Sequence, residues 1–258
     1  MKIDAKIEEI RNYGFTSIPN LIDHSDLRCL LESVEPYLHL AENNYGTSKK
    51  PEITLAMFRT PSARRVMRDI IFNRALKTII STFMRDPFIE HTKILVKPAN
   101  GPETPWHQDG KFWHDFDPSK SMVSVWIALE STNIHNGCLE ILKTKTRQTE
   151  LIKHAKVRDN KEMEIPSECI SDKLIDGVLI PIELNAGDAL IFDSTTIHRA
   201  LPNKLNHPRL GIKIVFQDQA LRTANIPKHK SSIEMNGISG IINKTFPCAM
   251  TAVRLRKL

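Results

Sequence analysis

Cysteine is scarce and scattered. Cys29, Cys138, Cys169 and Cys248 lie far apart, with no Cys-x-x-Cys pair among them. Such spacing indicates neither a disulfide framework nor a zinc ribbon, so a reduced, cytoplasmic setting is the expectation. Long apolar runs are missing too. Nothing approaches the ~18 consecutive apolar residues of a membrane-spanning helix, and the opening MKIDAKIEEIRNYGF has no apolar stretch of the signal-peptide kind. There is no glycine-rich phosphate loop, no βαβ alternation, no internal repeat and no low-complexity tract. The chain is basic, with a formal net charge of +6 and a pI of about 9.1. Its Lys and Arg are nevertheless spread along the sequence, with only short clusters such as RLRKL at 254–258. The interleaved basic and aromatic stripe of a nucleic-acid surface is missing. The expected partner is therefore a small molecule, with neither nucleic acid nor membrane, and anionic substrates or cosubstrates are the milder explanation of the charge. The sequence sets no oligomeric state.

What is present suits one globular domain: 258 residues with 41% hydrophobic content. Residues 3–12 read as a short helix, and NYGFTSIP as a turn and short strand. IDHSDLRCLLESVEPYL places Leu27, Leu30, Leu31 and Val34 at helical spacing, with Ser25 or Asp26 positioned to cap. From Ser62 to Met84 the pattern is helical again, with a break near Asn73. After Asp86-Pro87 the period changes. IEHTKILVKP (89–98), SMVSVWIALE (121–130), GDALIFD (187–193) and RLGIKIVFQD (209–218) are β-branched or aromatic-rich runs between Pro, Gly and Asn breakers. Residues 146–183 are charged and irregular and read as an insertion. Helices followed by many strands predict a mainly β fold with a helical N-terminal layer, a β-sandwich or barrel. The helical part is expected over about 1–86, the β core over about 87–220, and a C-terminal extension over 221–258.

The chemistry gathers at ETPWHQDGKFWHDFD (103–117). In a strand, residues i and i+2 point to the same face, so His107 and Asp109 would project an imidazole and a carboxylate side by side. Two His and one carboxylate with open positions form the donor set of non-haem Fe(II) oxygenases. A lone His-x-Asp is weak evidence. The second such pair, His24-Ser25-Asp26, opens a predicted helix, where i and i+2 do not share a face and the polar side chains serve as caps. Support for the first comes from downstream. ALIFDSTTIHRALPN places His198 just after an apolar strand and a polar turn, and PRLGIKIVF places Arg209 at the start of the next strand. His198 would complete the donor set. Arg209 would offer a planar fork to a carboxylate.

These pieces, in this order, resemble the phytanoyl-CoA dioxygenase family of Fe(II)/2-oxoglutarate oxygenases. YGFTSIPNLIDHSDL, KILVKP, PWHQDGKFW, VSVWIALE, NGCLEIL, NAGDALIFDSTTIHRALPN and PRLGIKIVFQ carry the resemblance across roughly residues 12–218. It implies a double-stranded β-helix, or jelly-roll, core of cupin-like form. It implies Fe(II) on His107, Asp109 and His198, Arg209 on the far carboxylate of 2-oxoglutarate, and O2 as the second cosubstrate. Trp126 falls where family members contact the cosubstrate, and Thr92, on the strand before the His-x-Asp pair, is a second candidate for that role. Phe112 and Trp113 are expected along the substrate wall. Lys97 and Lys111 could reach an anionic ligand, whereas His114, Asp115 and Asp117 read as solvated bystanders.

Two details bear on the reaction. The family's Pro-Gly-Ser-His segment after "NG" is replaced here by CLEILKTKTRQ, so the pocket rim, and with it the substrate class, departs from the pattern. The carboxylate ligand position holds Asp109, whereas halogenating relatives carry a small residue there, so hydroxylation or another oxidation is expected. The resulting expectation is an oxidoreductase, a hydroxylase of an amino acid, a natural-product intermediate or a coenzyme A thioester. The rivals are a catalytically silent jelly-roll binding protein and a cupin-like metal enzyme that does not use 2-oxoglutarate.

Overall fold

The computed structural model describes residues 2–40, 56–112, 122–156 and 164–218. Helix α1 (Ile3–Tyr13) ends at Gly14, whose φ of 84° is left-handed and lets the chain turn straight into strand β1 (Phe15–Ile18). Helix α2 (His24–Val34) is capped by Asp23, whose carboxylate accepts from the Asp26 amide at 2.8 Å. The cap thus lies two residues before Ser25 and three before Asp26, because an N-cap must precede the first helical residue, here His24. After a 3₁₀ turn (Glu35–Leu40) come α3 (Pro61–Ile71) and α4 (Arg74–Phe83). The break between them is Asn73, whose side-chain oxygen accepts from the Ala75 and Leu76 amides and starts the new helix.

Strands follow: β2 (Pro87–Lys97), β3 (Thr104–His107), β4 (Met122–Ala128), β5 (Leu139–Lys143), β6 (Val178–Ile182), β7 (Ala189–Asp193), β8 (His198–Ala200) and β9 (Arg209–Asp218). They form two antiparallel sheets in a jelly roll, one ordered β1-β7-β4-β9-β2 and the other β3-β8-β5-β6. Helix α5 (Ser167–Asp176) precedes β6. The expectation that residues 146–183 are an insertion is corrected here. Residues 178–182 pair with β5 along its whole length and form the edge of the smaller sheet. The edge position explains why the stretch did not read as a core strand: Val178 and Leu179 are exposed and Pro181 interrupts the run.

Strand alternation sorts the larger sheet into two faces. Ile94 and Val96 of β2, Val123, Val125 and Ile127 of β4, Ile191 of β7, and Ile212, Ile214 and Phe216 of β9 pack with Leu30, Val66, Ile70, Ile79 and Ile80 of the helices. At about 1.5–3 kcal/mol for each large apolar side chain buried, this helical layer is the main stabilising contact of the sheet. The opposite face carries Trp126, Ala128, Leu190 and Phe192, which meet Leu139, Ile141 and Ala200 of the smaller sheet. The site lies between the two sheets, on that inner face. Among the described residues no helix is long and apolar enough to cross a membrane.

Candidate metal centre

His107 and His198 are cross-strand partners at the junction of β3 and β8. The register of this pair slips between Thr104 and His107, so a bulge at Pro105-Trp106 brings the two imidazoles opposite one another. Their ring centroids are 4.2 Å apart. Each ring is fixed in the same way: Nδ1 donates to the carbonyl two residues earlier, His107 to Pro105 at 2.8 Å and His198 to Thr196 at 2.9 Å. Nε2 of both rings is thereby left as the lone-pair nitrogen.

Asp109 supplies the third donor, but not by strand alternation. β3 stops at His107, and Asp109 begins a 3₁₀ turn (Asp109–Phe112) held by the Gly110 amide donating to the Ser194 carbonyl at 2.8 Å. Its Oδ1 lies 4.0 Å from His107 Nε2 and 3.8 Å from His198 Nε2. Donor atoms of the three residues all fall within 4.8 Å of one another. Asp109 Oδ2 accepts from the Ser124 hydroxyl of β4, and Oδ1 accepts from Lys213 Nζ of β9 at 2.6 Å.

The electrostatics suit metal ligands. Burial pushes the His107 imidazolium pKa down to about 3, with the proximity of His198 acting in the same direction. Burial likewise lowers that of His198, although the Asp109 charge opposes it. Both rings are therefore neutral at physiological pH. Burial of Asp109 works to raise its pKa, yet the Lys213 ammonium, which also donates to it, and the adjacent imidazoles outweigh this and hold the carboxyl well below the usual range.

Gln108 faces away from the donors and is fully buried. Its amide nitrogen donates to the Thr195 carbonyl at 2.6 Å and the Glu150 carbonyl at 2.8 Å, and its oxygen accepts from the Ile152 amide at 2.7 Å. Its backbone N–H donates to His154 Nε2 at 3.0 Å. One side chain thus ties the metal-side turn to the 148–154 segment and to the turn before His198. Asp193 organises that second turn: its Oδ1 accepts from Thr195 and Thr196, and its Oδ2 from Arg147 at 2.7 Å.

Arg209 opens β9 on the same inner face and is 3% exposed. Its Nη2 donates to the Gly137 carbonyl at 2.6 Å, while its Nε has no partner. Burial pushes the guanidinium down to about 10. The Trp126 ring lies 5.0 Å from the guanidinium carbon, and its buried indole N–H is also unpartnered. Gly211 lets the ring lie there, since a Cβ at that position would sit 2.4 Å from Trp126 Cζ2. Gly137, with φ of 80°, admits no side chain either: a Cβ would stand 2.6 Å from both the Leu201 carbonyl and Lys97 Cδ.

The other sequence candidates separate. Phe112 is exposed, with its ring edge-on to His107 at 5.8 Å between centroids. Trp113, His114, Asp115 and Asp117 lie outside the described residues. Lys97 pairs across from Arg209 and is buried, while Lys111 is exposed. Thr92 is corrected: it pairs across from Ile214 and shares the face of Ile94 and Val96 that packs on the helices. A cosubstrate contact from Thr92 would require it to face the other way. Lys213, Ser124 and Gln108 were not singled out as site residues from sequence. The one signal for Lys213 was its i+4 place on the strand of Arg209, which puts both on one face.

The chain is similar to known proteins in sequence and in fold. The sequence pattern of the phytanoyl-CoA dioxygenase (PhyH) family matches residues 10–211. Ectoine dioxygenase from Halomonas elongata is 29% identical over 143 residues, 51% of this chain and 43% of that protein. Peroxisomal phytanoyl-CoA dioxygenase from Bos taurus is 24% identical over 222 residues, 80% of this chain and 65% of that protein. Each match spans less than two thirds of the relative's length. Among solved structures, the epimerase SnoN in complex with Fe3+, alpha ketoglutarate and nogalamycin RO superposes with a TM-score of 0.62 at 17% identity, covering 87% of each chain. EvdO2 from Micromonospora carbonacea var. aurantiaca, complexed with 2-oxoglutarate, gives 0.60 at 19% identity over 83% of this chain and 90% of its own. The structural likeness establishes the jelly roll, and the sequence match extends over most of the chain; the protein belongs to the phytanoyl-CoA dioxygenase family.

Proposed function

We propose that the protein is an Fe(II)- and 2-oxoglutarate-dependent oxygenase that oxidises an unactivated C–H bond of a small metabolite, such as an amino acid or natural-product intermediate. The observation that carries this reading is the convergence of His107, Asp109 and His198 donor atoms within 4.8 Å. Two neutral imidazoles with fixed tautomers and one ionised carboxylate are the donor chemistry that a ferrous ion takes. The orphaned polar atoms fit the cosubstrate as well. Arg209 Nε and Trp126 Nε1 are buried N–H donors without acceptors, and a buried donor left unpaired is costly unless a ligand supplies the acceptor. A carboxylate beside them would satisfy both.

His107, Asp109 and His198 would hold the metal. Arg209, with Trp126 beside it, would hold the far carboxylate of 2-oxoglutarate. When bound, iron, 2-oxoglutarate and O2 together supply a two-electron oxidation of the substrate, with release of succinate and CO2. The chain's own contribution is positional. Ser124 fixes the rotation of the Asp109 carboxylate, the backbone carbonyls of Pro105 and Thr196 fix the two rings, and the apolar residues between the sheets exclude water. Asp109 at the carboxylate position favours hydroxylation or another oxidation over halogenation. Phe112 beside His107, and Trp113 next in sequence, are the proposed substrate wall.

The test is succinate formation from 2-oxoglutarate under air with Fe(II), screened across a metabolite panel. Wild type should release succinate, and Asp109→Ala should reduce release to background. Full release from Asp109→Ala would remove Asp109 from the donor set, and no release by wild type with any compound would count against the enzyme reading.

A further inference from the structure

The chain crosses from the larger sheet to the smaller one between Asp193, the last residue of β7, and His198, the first of β8. In that crossing three successive carbonyls serve the metal centre, each accepting from a different part of it. Ser194 takes the Gly110 amide at 2.8 Å, which holds the turn of Asp109. Thr195 takes the Gln108 side chain at 2.6 Å. Thr196 takes Nδ1 of His198 at 2.9 Å. The placement of this one turn therefore sets two of the three metal donors and anchors the residue between His107 and Asp109.

A connection between sheets has no ladder to fix it, so side chains must bind its backbone groups. Asp193 does this from a buried position. Its Oδ1 accepts from the Thr195 amide at 3.0 Å and from the Thr196 hydroxyl at 2.8 Å. Its own amide donates to the Gly14 carbonyl, just past α1, at 2.9 Å. The other carboxylate oxygen, Oδ2, accepts from Arg147 Nε at 2.7 Å, a charge-assisted bond. Arg147 reaches in from the stretch after β5, with 35% of its side chain exposed against 7% for Asp193. A buried carboxylate deprived of its cation is costly, and rotation toward water relieves it. That rotation would withdraw Oδ1 from the Thr195 amide and release the turn.

Resting on the donor set of the oxygenase reading above, we propose that Arg147 is a positioning residue for the metal centre: by neutralising Asp193 it fixes the 194–196 carbonyls, and through them the Asp109 carboxylate and the His198 ring. It acts through the turn rather than on the donor atoms. The His107 ring, held by the Pro105 carbonyl before it on β3, does not depend on this link.

The experiment uses the full chain and two spectroscopic readouts. In the metal-free protein, nitrogen-15 NMR of the histidine rings reports their tautomers. Wild type should show Nδ1–H for both His107 and His198; in Arg147→Ala the His198 ring should lose that single tautomer while His107 keeps it. With Co(II) as the metal, visible d–d bands report the donor geometry. Arg147→Ala should bind Co(II) about tenfold more weakly, with altered band intensity, and Arg147→Lys should stay within about twofold of wild type. Asp193→Asn removes the charge that Arg147 answers, so adding Arg147→Ala to it should change Co(II) affinity less than about twofold. Arg147→Gln, which keeps much of the bulk, replaces Arg147→Ala if the latter does not fold. A merely structural arginine would lower Tm and leave the His198 tautomer and the d–d bands unchanged. That result, or the full Arg147→Ala loss persisting beside Asp193→Asn, would overturn the proposal. Failure of wild type to bind Co(II) would overturn the donor-set reading instead, and the metal-free tautomer readout would still decide whether Arg147 governs His198.

Discussion

His107 and His198 face each other across the β3–β8 ladder with ring centroids 4.2 Å apart, and each donates its Nδ1 proton to the carbonyl two residues before it. Neither ring is free to turn or to exchange tautomers. Both Nε2 lone pairs are presented toward the same carboxylate oxygen, so the three donor atoms converge with no ion present.

The first prediction concerns protons. The folded His107 pKa is about 3, below its ordinary value of 6.5, and that of His198 is also lowered. Between these values the unfolded chain binds protons that the folded chain does not. Stability of the metal-free protein is therefore complete above pH 6.5 and is lost as pH falls toward 3. Asp109, also depressed, adds to the loss at the acid end. In chelator, Tm should fall steadily below pH 6.5. Zn(II) binding at pH 6.0, followed by calorimetry in two buffers of different ionisation enthalpy, should release almost no protons from His107 and fewer than usual from His198. Two ordinary histidines would release about 1.5, and that result would contradict the account.

Gln108 is the clearest test of the scaffold. Gln108→Ala removes a buried side chain that bonds to Glu150, Ile152 and Thr195. Leaving those backbone groups unpaired costs about 1–3 kcal/mol, which for a chain of this size lowers Tm by several degrees. Metal affinity should weaken as well, because Gln108 lies between two of the donors. Scanning calorimetry checks the first effect, and an unchanged Tm would show that water replaces these contacts without loss.

Gly211 carries a specific steric demand. In Gly211→Ala the new methyl would start 2.4 Å from Trp126 Cζ2, so the indole must leave its place beside Arg209. Affinity for 2-oxoglutarate should fall at least tenfold while Zn(II) affinity stays within about threefold. Equal losses of both would indicate general damage to the fold rather than displacement of Trp126.

Thr92→Val should leave 2-oxoglutarate affinity within about twofold of wild type, because Thr92 faces the helical layer with Ile94 and Val96. A large loss would return Thr92 to the site and contradict the observed register.

How far the sequence reached is explained by these residues. The convergence of His107, Asp109 and His198 was legible because imidazoles are few, and these residues, like Arg209, stand beside strand boundaries that Pro and Gly mark. The helical layer was legible from its 3.6-residue period, and the break at Asn73 from its capping chemistry. The route by which Asp109 reaches the cluster was not legible. It depends on β3 ending at His107 and on a hydrogen bond to Ser194, more than eighty residues downstream. The face of Thr92 was hidden for a similar reason, since strand alternation alone does not say which side meets the helices. Beyond its place four residues after Arg209, nothing in the sequence sets Lys213 apart from the chain's other lysines. Only the closure of the two sheets brings it to Asp109. What Gln108 reaches on the side away from the donors, residues 150–154, was read as part of an insertion.

The central claim is that His107, Asp109 and His198 hold ferrous iron while Arg209 holds 2-oxoglutarate beside it. The direct measurement is an anaerobic titration of the Fe(II)-loaded protein with 2-oxoglutarate, followed by visible absorbance. The account predicts the weak metal-to-ligand charge-transfer band of the chelate in wild type, no band in Asp109→Ala, and in Arg209→Ala a band that appears only at a much higher 2-oxoglutarate concentration. A wild-type protein that develops no band and binds no 2-oxoglutarate by calorimetry would contradict it.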